Sequence, residues 1–133
     1  MTYLLDTNAC INFLNPGHDA LTEKVCRFGN EICLCSVVKA ELYFGAYHSG
    51  KREKNLSVLE SFFAEFCSLP FEDSAAETYG RLRTDLQKKG CPIGPYDLQI
   101  ASVALLQNLT LVTHNVAEFN RVSGLQIEDW END

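Results

Sequence analysis

Short apolar runs alternate with helical stripes along this chain, and no hairpin turn signal joins any two of the runs. Together these observations predict an α/β domain whose mostly parallel sheet is covered on both faces by helices. A length of 133 residues bounds it to a single domain spanning 1–133, large enough to bury about two-thirds of the surface its unfolded chain exposes.

The elements follow in order. Tyr3 to Leu5 is a short apolar strand, and Thr7 to Leu14 a helix stopped by Asn15-Pro16-Gly17. Leu21 to Phe28 has helical spacing and ends at Gly29. Glu31 to Ser36 is a second strand, with Ser36 available as N-cap for a helix over Val37 to Tyr47. A polar start then leads into Leu56, Leu59, Phe62, Phe63 and Phe66, another helical stripe, followed by a weak strand at Leu69-Pro70-Phe71. Glu72 to Lys89 is helical and stops at Gly90, behind two lysines that suit the negative end of the helix dipole. Cys91-Pro92-Ile93-Gly94-Pro95 is a stiff loop, and Pro95 fits the first turn of a helix running to Leu106. Leu109 to Thr113 is a strand, Val116 to Phe119 a short helical segment, and a last strand falls within Leu125 to Asp129.

Composition narrows the function. A formal charge of −7 argues against a generic nucleic-acid binder, because non-specific affinity comes from Lys and Arg neutralising phosphates. The local basic groups, Lys51-Arg52-Glu53-Lys54, Arg81-Leu82-Arg83 and Lys88-Lys89, read as solvated helix surface. No apolar run is long enough to span a membrane, and Met1-Thr2-Tyr3 enters a strand without a basic leader, so a cytoplasmic protein is expected. The six cysteines form no C-x-x-C pair and lie mostly in apolar patterns, which predicts reduced core thiols. Cys10, one turn from Asp6, is the one to watch.

Three carboxylates, Asp6, Glu41 and Asp97, each stand where strand gives way to helix. In a parallel sheet the carboxyl ends of the strands form one rim, where ligands bind, so acids far apart in sequence meet there. Such a cluster repels itself unless something positive joins it, and a hard divalent cation with oxygen ligands is the usual answer. Each acid has an ordinary alternative. Asp6 caps a helix at Thr7, and Asp97 suits the positive end of a helix dipole. Yet Asp97 begins the apolar stripe Ile100, Ala101, Ala104, Leu105, and Glu41 shares its face with Val37, Val38, Phe44 and Gly45, so both look inward. A buried acid needs a partner. Thr113, His114 and Asn115 end another strand at the same rim and offer neutral ligands or hydrogen bonds, with Asn115 alternatively capping the segment at Val116. His114 is a weak candidate for a general base; Asn8 and Ser36 are positioning candidates whose competing role is capping.

The chain resembles the PIN-domain ribonucleases, and among them the VapC toxins of bacterial toxin–antitoxin pairs. The resemblance runs through Tyr3-Leu4-Leu5-Asp6-Thr7-Asn8, Ser36-Val37-Val38-Lys39-Ala40-Glu41-Leu42 with Gly45-Ala46, Pro92 to Ala101, Leu111 to Phe119, and Asp129-Trp130. It implies a single three-layer α/β/α sandwich with a central sheet of four or five strands. It also implies Asp6, Glu41 and Asp97 as ligands for Mg²⁺, with Mn²⁺ as a substitute, and hydrolysis of RNA; attack by a metal-generated hydroxide predicts a 5′-phosphate and a 3′-hydroxyl. Many relatives carry a further aspartate where Asn115 stands; Glu118, one turn on, partly compensates. A VapB-type antitoxin that covers the pocket and carries the operator-DNA contacts, and a homodimer, follow from the same resemblance. The stripe Phe62, Phe63, Phe66 with Tyr43 and Tyr47 would form either the antitoxin groove or plain core. Resemblance to the subset of these toxins that share the Pro92-Ile93-Gly94-Pro95 loop and the Asn after Thr113-His114 implies initiator transfer RNA as target, with other transfer RNAs or ribosomal RNA left open.

Two alternatives remain at this point. One is a Mg²⁺-dependent phosphohydrolase with Asp6 as phospho-acceptor, which would want an aspartate where Asn8 stands. The other is a non-catalytic RNA-binding module, which the presence of all three acids disfavours.

Overall fold

A computed structural model describes residues 1–132. The chain alternates β1 (Tyr3–Leu5), α1 (Thr7–Leu14), α2 (Asp19–Phe28), β2 (Ile32–Cys35), α3 (Ser36–His48), α4 (Arg52–Phe63), β3 (Cys67–Leu69), α5 (Asp73–Lys88), α6 (Pro95–Leu106), β4 (Thr110–Val112), α7 (Val116–Phe119) and β5 (Ile127–Glu128). The strands make one five-stranded sheet in the order β3-β2-β1-β4-β5, every neighbouring pair parallel. Because the chain moves from β1 outward to β3 and then returns to β4, right-handed crossovers place the later helices on the opposite face from the earlier ones. The expected α/β sandwich with a parallel sheet is the fold observed.

The core explains the element patterns. β2 and β4 are buried along their whole length, as a strand covered on both faces must be, so each reads as a continuous apolar run. Helix α6 is buried nearly all round, with Leu98, Ile100, Ala101, Val103 and Ala104 each at most 1% exposed. Gly90 has φ +71°, a left-handed conformation costly for other residues, and the amides of Gly90 and Cys91 close the end of α5 on the carbonyls of Gln87 and Leu86. Trp130, 1% exposed, closes the last layer against Tyr3 and Phe28, with ring centroids 4.8 Å and 5.7 Å away.

Several expectations need correction. The strand expected at Leu69 to Phe71 is shifted back to Cys67–Leu69, where it pairs with Cys33 to Cys35. It is an edge strand, and Pro70 could not donate to the ladder. Ser36 does not cap α3: β2 runs directly into the helix, Cys35 holds the cap position, and the Ser36 hydroxyl donates to the Leu69 carbonyl at 3.4 Å. Cys10, Cys33 and Cys35 are core thiols as expected, but Cys26 and Cys67 are exposed. Burial pushes the Cys10 thiol well above its usual range, which removes it as a reactive group. Phe62 and Phe63 belong to the core, whereas Tyr43 and Tyr47 are exposed, so the aromatic stripe is not one surface.

Candidate active site

In an open parallel sheet the ligand site lies outside the strand carboxyl ends, where neighbouring strands are connected in opposite directions. Here that point is the β1/β4 junction, and it is marked by the Asp6 amide donating to the Val112 carbonyl at 3.1 Å. Asp6 follows β1, Thr113 follows β4, Glu41 lies in the second turn of α3, and Asp97 is the third residue of α6.

Asp6 is 3% exposed. Its Oδ1 accepts the Ala9 amide at 2.8 Å, so it is the N-cap of α1 and a buried rim acid at once; the two readings of this residue were not exclusive. Burial pushes its carboxyl above the usual range, the Thr113 hydroxyl and Ala9 amide draw it partly back, and the charges of Glu131 and Glu41 push it further up.

Glu41 is half-buried, and its Oε1 accepts from the Thr7 hydroxyl at 2.8 Å. Its surroundings are not the closed interior that its helix neighbours suggested, because Phe44 is 70% exposed and Gly45 is exposed. Glu41 instead stands between two open grooves. One, of about 680 Å³, is lined by Val37, Ala40, Phe44, Phe71 and Tyr96; the other, of about 410 Å³, by Ile11, Leu14, Leu42, Ala46 and Val58.

Asp97 is half-buried, with its carboxyl pushed up to about 6 by burial first and then by the charges of Glu118, Asp6 and Glu41. The fold therefore gathers four carboxylates around one rim. Three were expected as ligands, and Glu118, expected to compensate in part for Asn115, stands near Asp97 on α7, held by Asn115 Nδ2 donating to its Oε2 at 2.6 Å. Asn115 holds the cap position before α7 but its side chain does not cap it; the amide orients Glu118 instead, while its own backbone N–H donates to the Thr113 hydroxyl at 3.0 Å.

The remaining candidates sit differently. Asn8 is exposed, and Ser36 is engaged with β3. His114 is exposed and its Nδ1 lies 3.0 Å from Asp129 Oδ2, turned toward the C-terminal segment. Thr7 and Glu131 were not singled out from sequence. Thr7 had a legible signal, a hydroxyl directly following the rim acid; Glu131, near the end of the chain, had none.

The donor set fits a hard divalent cation, since it consists of carboxylate oxygens, two of which, on Asp6 and Asp97, are raised first by burial and further by neighbouring acids. Asp6 at the end of β1 thus has acidic company from α3, and Asp97 on α6 is pushed up by Glu118, Asp6 and Glu41, although α6 follows a loop from α5 and not the strand expected before it.

A PIN domain family model matches residues 3–125. Ribonuclease VapC2 of Rickettsia felis is 40% identical over 133 residues, covering 98% of this chain and 99% of that protein. The tRNA(fMet)-specific endonuclease VapC of Salmonella typhimurium is 37% identical over 130 residues, covering 98% of each. The crystal structure of DNA-bound VapBC from Salmonella typhimurium superposes with a TM-score of 0.93 at 37% identity, again over 98% of both chains. End-to-end similarity of this degree, on a fold whose strand-end acids converge as described, means that the chain belongs to the PIN-domain family and, within it, to the VapC ribonucleases.

Proposed function

We propose that the chain is a metal-dependent endoribonuclease toxin that cleaves transfer RNA, the initiator species being the first candidate, and is held in check by a VapB-type antitoxin. The observation that carries this reading is the placing of Asp97 at the rim, where burial first and then the charges of Glu118, Asp6 and Glu41 raise its carboxyl to about 6. The Salmonella typhimurium relative is named for tRNA(fMet).

Asp6, Glu41 and Asp97 would hold Mg²⁺ or Mn²⁺, with Glu118 beside them. When bound, such an ion supplies charge neutralisation at the phosphodiester and makes water acidic enough to attack at neutral pH. The protein's own residues do the positioning. The Ala9 amide and Thr113 hydroxyl fix Asp6, Thr7 fixes Glu41, and Asn115 fixes Glu118. Exposed Tyr96, directly before Asp97, offers an aromatic face on which a base can stack.

The antitoxin, in this reading, lays an apolar segment along a groove beside Glu41 and brings positive charge to the acids, as the −7 balance favours. Operator DNA is contacted through the antitoxin, in keeping with a chain too acidic to grip DNA alone. Exposed Tyr43 and Tyr47, which lie outside the groove beside Glu41, supply apolar surface for self-association into a homodimer. No helix among the described residues is long and apolar enough to cross a membrane, and a cytoplasmic site of action completes the proposal.

Induced expression followed by sequencing of new RNA 5′ ends tests it. Fresh 5′-phosphate ends at one transfer RNA position, abolished by co-expressed antitoxin, are expected; no new ends would overturn it.

Two further results are expected. Cleavage should rise with pH through about 6, because Asp97 must lose its proton before it can ligate a cation. Proton and cation compete, so tenfold more Mn²⁺ below saturation should move this acid limb down by up to roughly one pH unit. A limb insensitive to Mn²⁺ would separate Asp97 from the metal. Thr7→Val removes the donor to Glu41 at nearly constant shape and is expected to weaken Mn²⁺ binding roughly tenfold, read by titration of metal-free protein.

A further inference from the structure

Beyond the four rim carboxylates, the C-terminal segment carries a second group of metal-type donors. His114, Asp129 and Glu131 each place one ligand atom so that all three lie within 4.8 Å of one another. His114 Nδ1 and Asp129 Oδ2 are 3.0 Å apart, the spacing of adjacent ligands about 2.1 Å from an octahedral ion. Hydrogen bonding accounts for most of the group. Asp129 Oδ1 accepts the Glu131 amide at 3.0 Å, and Asp129 Oδ2 also accepts from Asn132 Nδ2 at 2.7 Å. Glu131 Oε1 accepts from Asn12 Nδ2 at 2.8 Å, with His18 Nδ1 3.8 Å away.

One oxygen is left over. The Glu131 side chain is only 10% exposed, and its Oε2 is buried with no hydrogen-bond partner. A buried carboxylate oxygen in that state is unfavourable unless a donor or something positive reaches it. The surrounding charge aggravates the cost, since Asp6 feels Glu131 as a repelling neighbour. A nine-tenths-buried carboxylate with one oxygen unpartnered, beside an imidazole and a second carboxylate, is the pattern a cation completes.

We propose that His114, Asp129 and Glu131 form a second divalent-cation site, distinct from the rim acids, which ties the C-terminal tail to the end of β4. The imidazole sets the ligand class. Carboxylates alone suit Mg²⁺, Ca²⁺ and Mn²⁺, whereas an added imidazole nitrogen favours transition ions, so this site takes Mn²⁺ or Zn²⁺ in preference to Mg²⁺. Its three ligands come from the turn after β4 and from either side of Trp130, so binding would fix the tail against the sheet.

Calorimetric titration of metal-free, full-length protein with Mn²⁺ tests this, with Co²⁺ absorption as a second readout. Wild type should show two classes of site. Asp97→Asn should lose the rim class and keep the other; His114→Ala should weaken the tail class roughly tenfold or more and keep the rim class. Ligand-field bands changed by His114→Ala but not by Asp97→Asn would identify imidazole ligation. Mn²⁺ should raise the melting temperature of Asp97→Asn but not of the double variant Asp97→Asn/His114→Ala. A single class of site, removed by Asp97→Asn alone, would overturn the proposal, as would Co²⁺ spectra and Mn²⁺ affinities unaltered by His114→Ala. The first of these results leaves the ribonuclease reading standing; loss of cleavage is not used as a criterion.

Discussion

Asp97→Asn is expected to lose RNA cleavage by about three orders of magnitude or more, while melting at a higher temperature than wild type at pH 8 in chelator. The two effects have one cause. The carboxyl of Asp97 is held at about 6 by burial and by Glu118, Asp6 and Glu41, so at pH 8 the folded protein carries a charge it would rather shed. The amide keeps the shape and removes the charge. Function is lost because an amide oxygen is a poor substitute for a carboxylate in a site that must hold a divalent ion. Stability is gained because a charge is no longer buried, and because three neighbouring acids no longer face a fourth.

The pH dependence fixes the sign. A carboxyl raised in the folded state adds stability that is fully present below its unfolded value, near 3.8, and lost as pH rises through about 6. Wild type should therefore fall in stability between about pH 4 and pH 6.5 relative to the variant. The variant's advantage should be largest above that window and vanish near pH 4. Thermal melts across pH 4 to 8, with metal removed so that it cannot neutralise the cluster, measure this directly. A variant less stable than wild type at pH 8 would mean that Asp97 has an unrecognised cationic partner. Full cleavage by the variant would remove the acid cluster from the mechanism.

The legibility of this site follows from where its residues lie. Asp6 was readable because it stands at a strand-to-helix junction, which parallel topology sends to one rim; Asp97, expected at such a junction, instead follows the loop from α5, and what marks it is its place at the head of the apolar stripe of α6. Glu41 was found on the same reasoning although its surroundings were misread. Helical spacing says which residues share a face, but not whether a groove opens over that face, as it does beside Phe44. Glu118 took its weight from Asn115, and its orientation by that amide is a side-chain contact no periodicity encodes. Glu131 was invisible, because what brings it near Asp6 is the docking of Trp130, a contact spanning almost the whole chain. The fold shows the same division. Strands with buried ends were placed within two residues, while edge strand β3, with Cys67 and Ser68 exposed, lacked the apolar pattern that would have set its position. Its register comes from pairing with β2.

Trp130→Ala is expected to destabilise the protein by about 3–5 kcal/mol and to lower the melting temperature by about 10 °C or more. The ring is 1% exposed and fills the space between Tyr3 on β1 and Phe28 at the end of α2, so deleting it opens a cavity that two flanking aromatics cannot both close. Its Nε1 also donates to Glu128 Oε1 at 2.9 Å. Against a total stability of about 5–15 kcal/mol, such a loss brings the domain near its threshold. Trp130→Phe separates the two contributions. It keeps an aromatic ring between Tyr3 and Phe28 and loses the hydrogen bond with part of the volume, so it should cost about 1–2 kcal/mol. Because Asp129 and Glu131 flank the ring, the two variants also separate packing from site geometry. If Trp130 acts only as core, Trp130→Phe should leave Mn²⁺ binding at His114 unchanged. If the indole sets the tail's register through Glu128, that affinity should fall with the hydrogen bond even where the melting temperature barely moves. Urea unfolding of both variants, paired with Mn²⁺ titration, distinguishes the cases, and a Trp130→Ala variant as stable as wild type would show that the tail is not part of the folding unit.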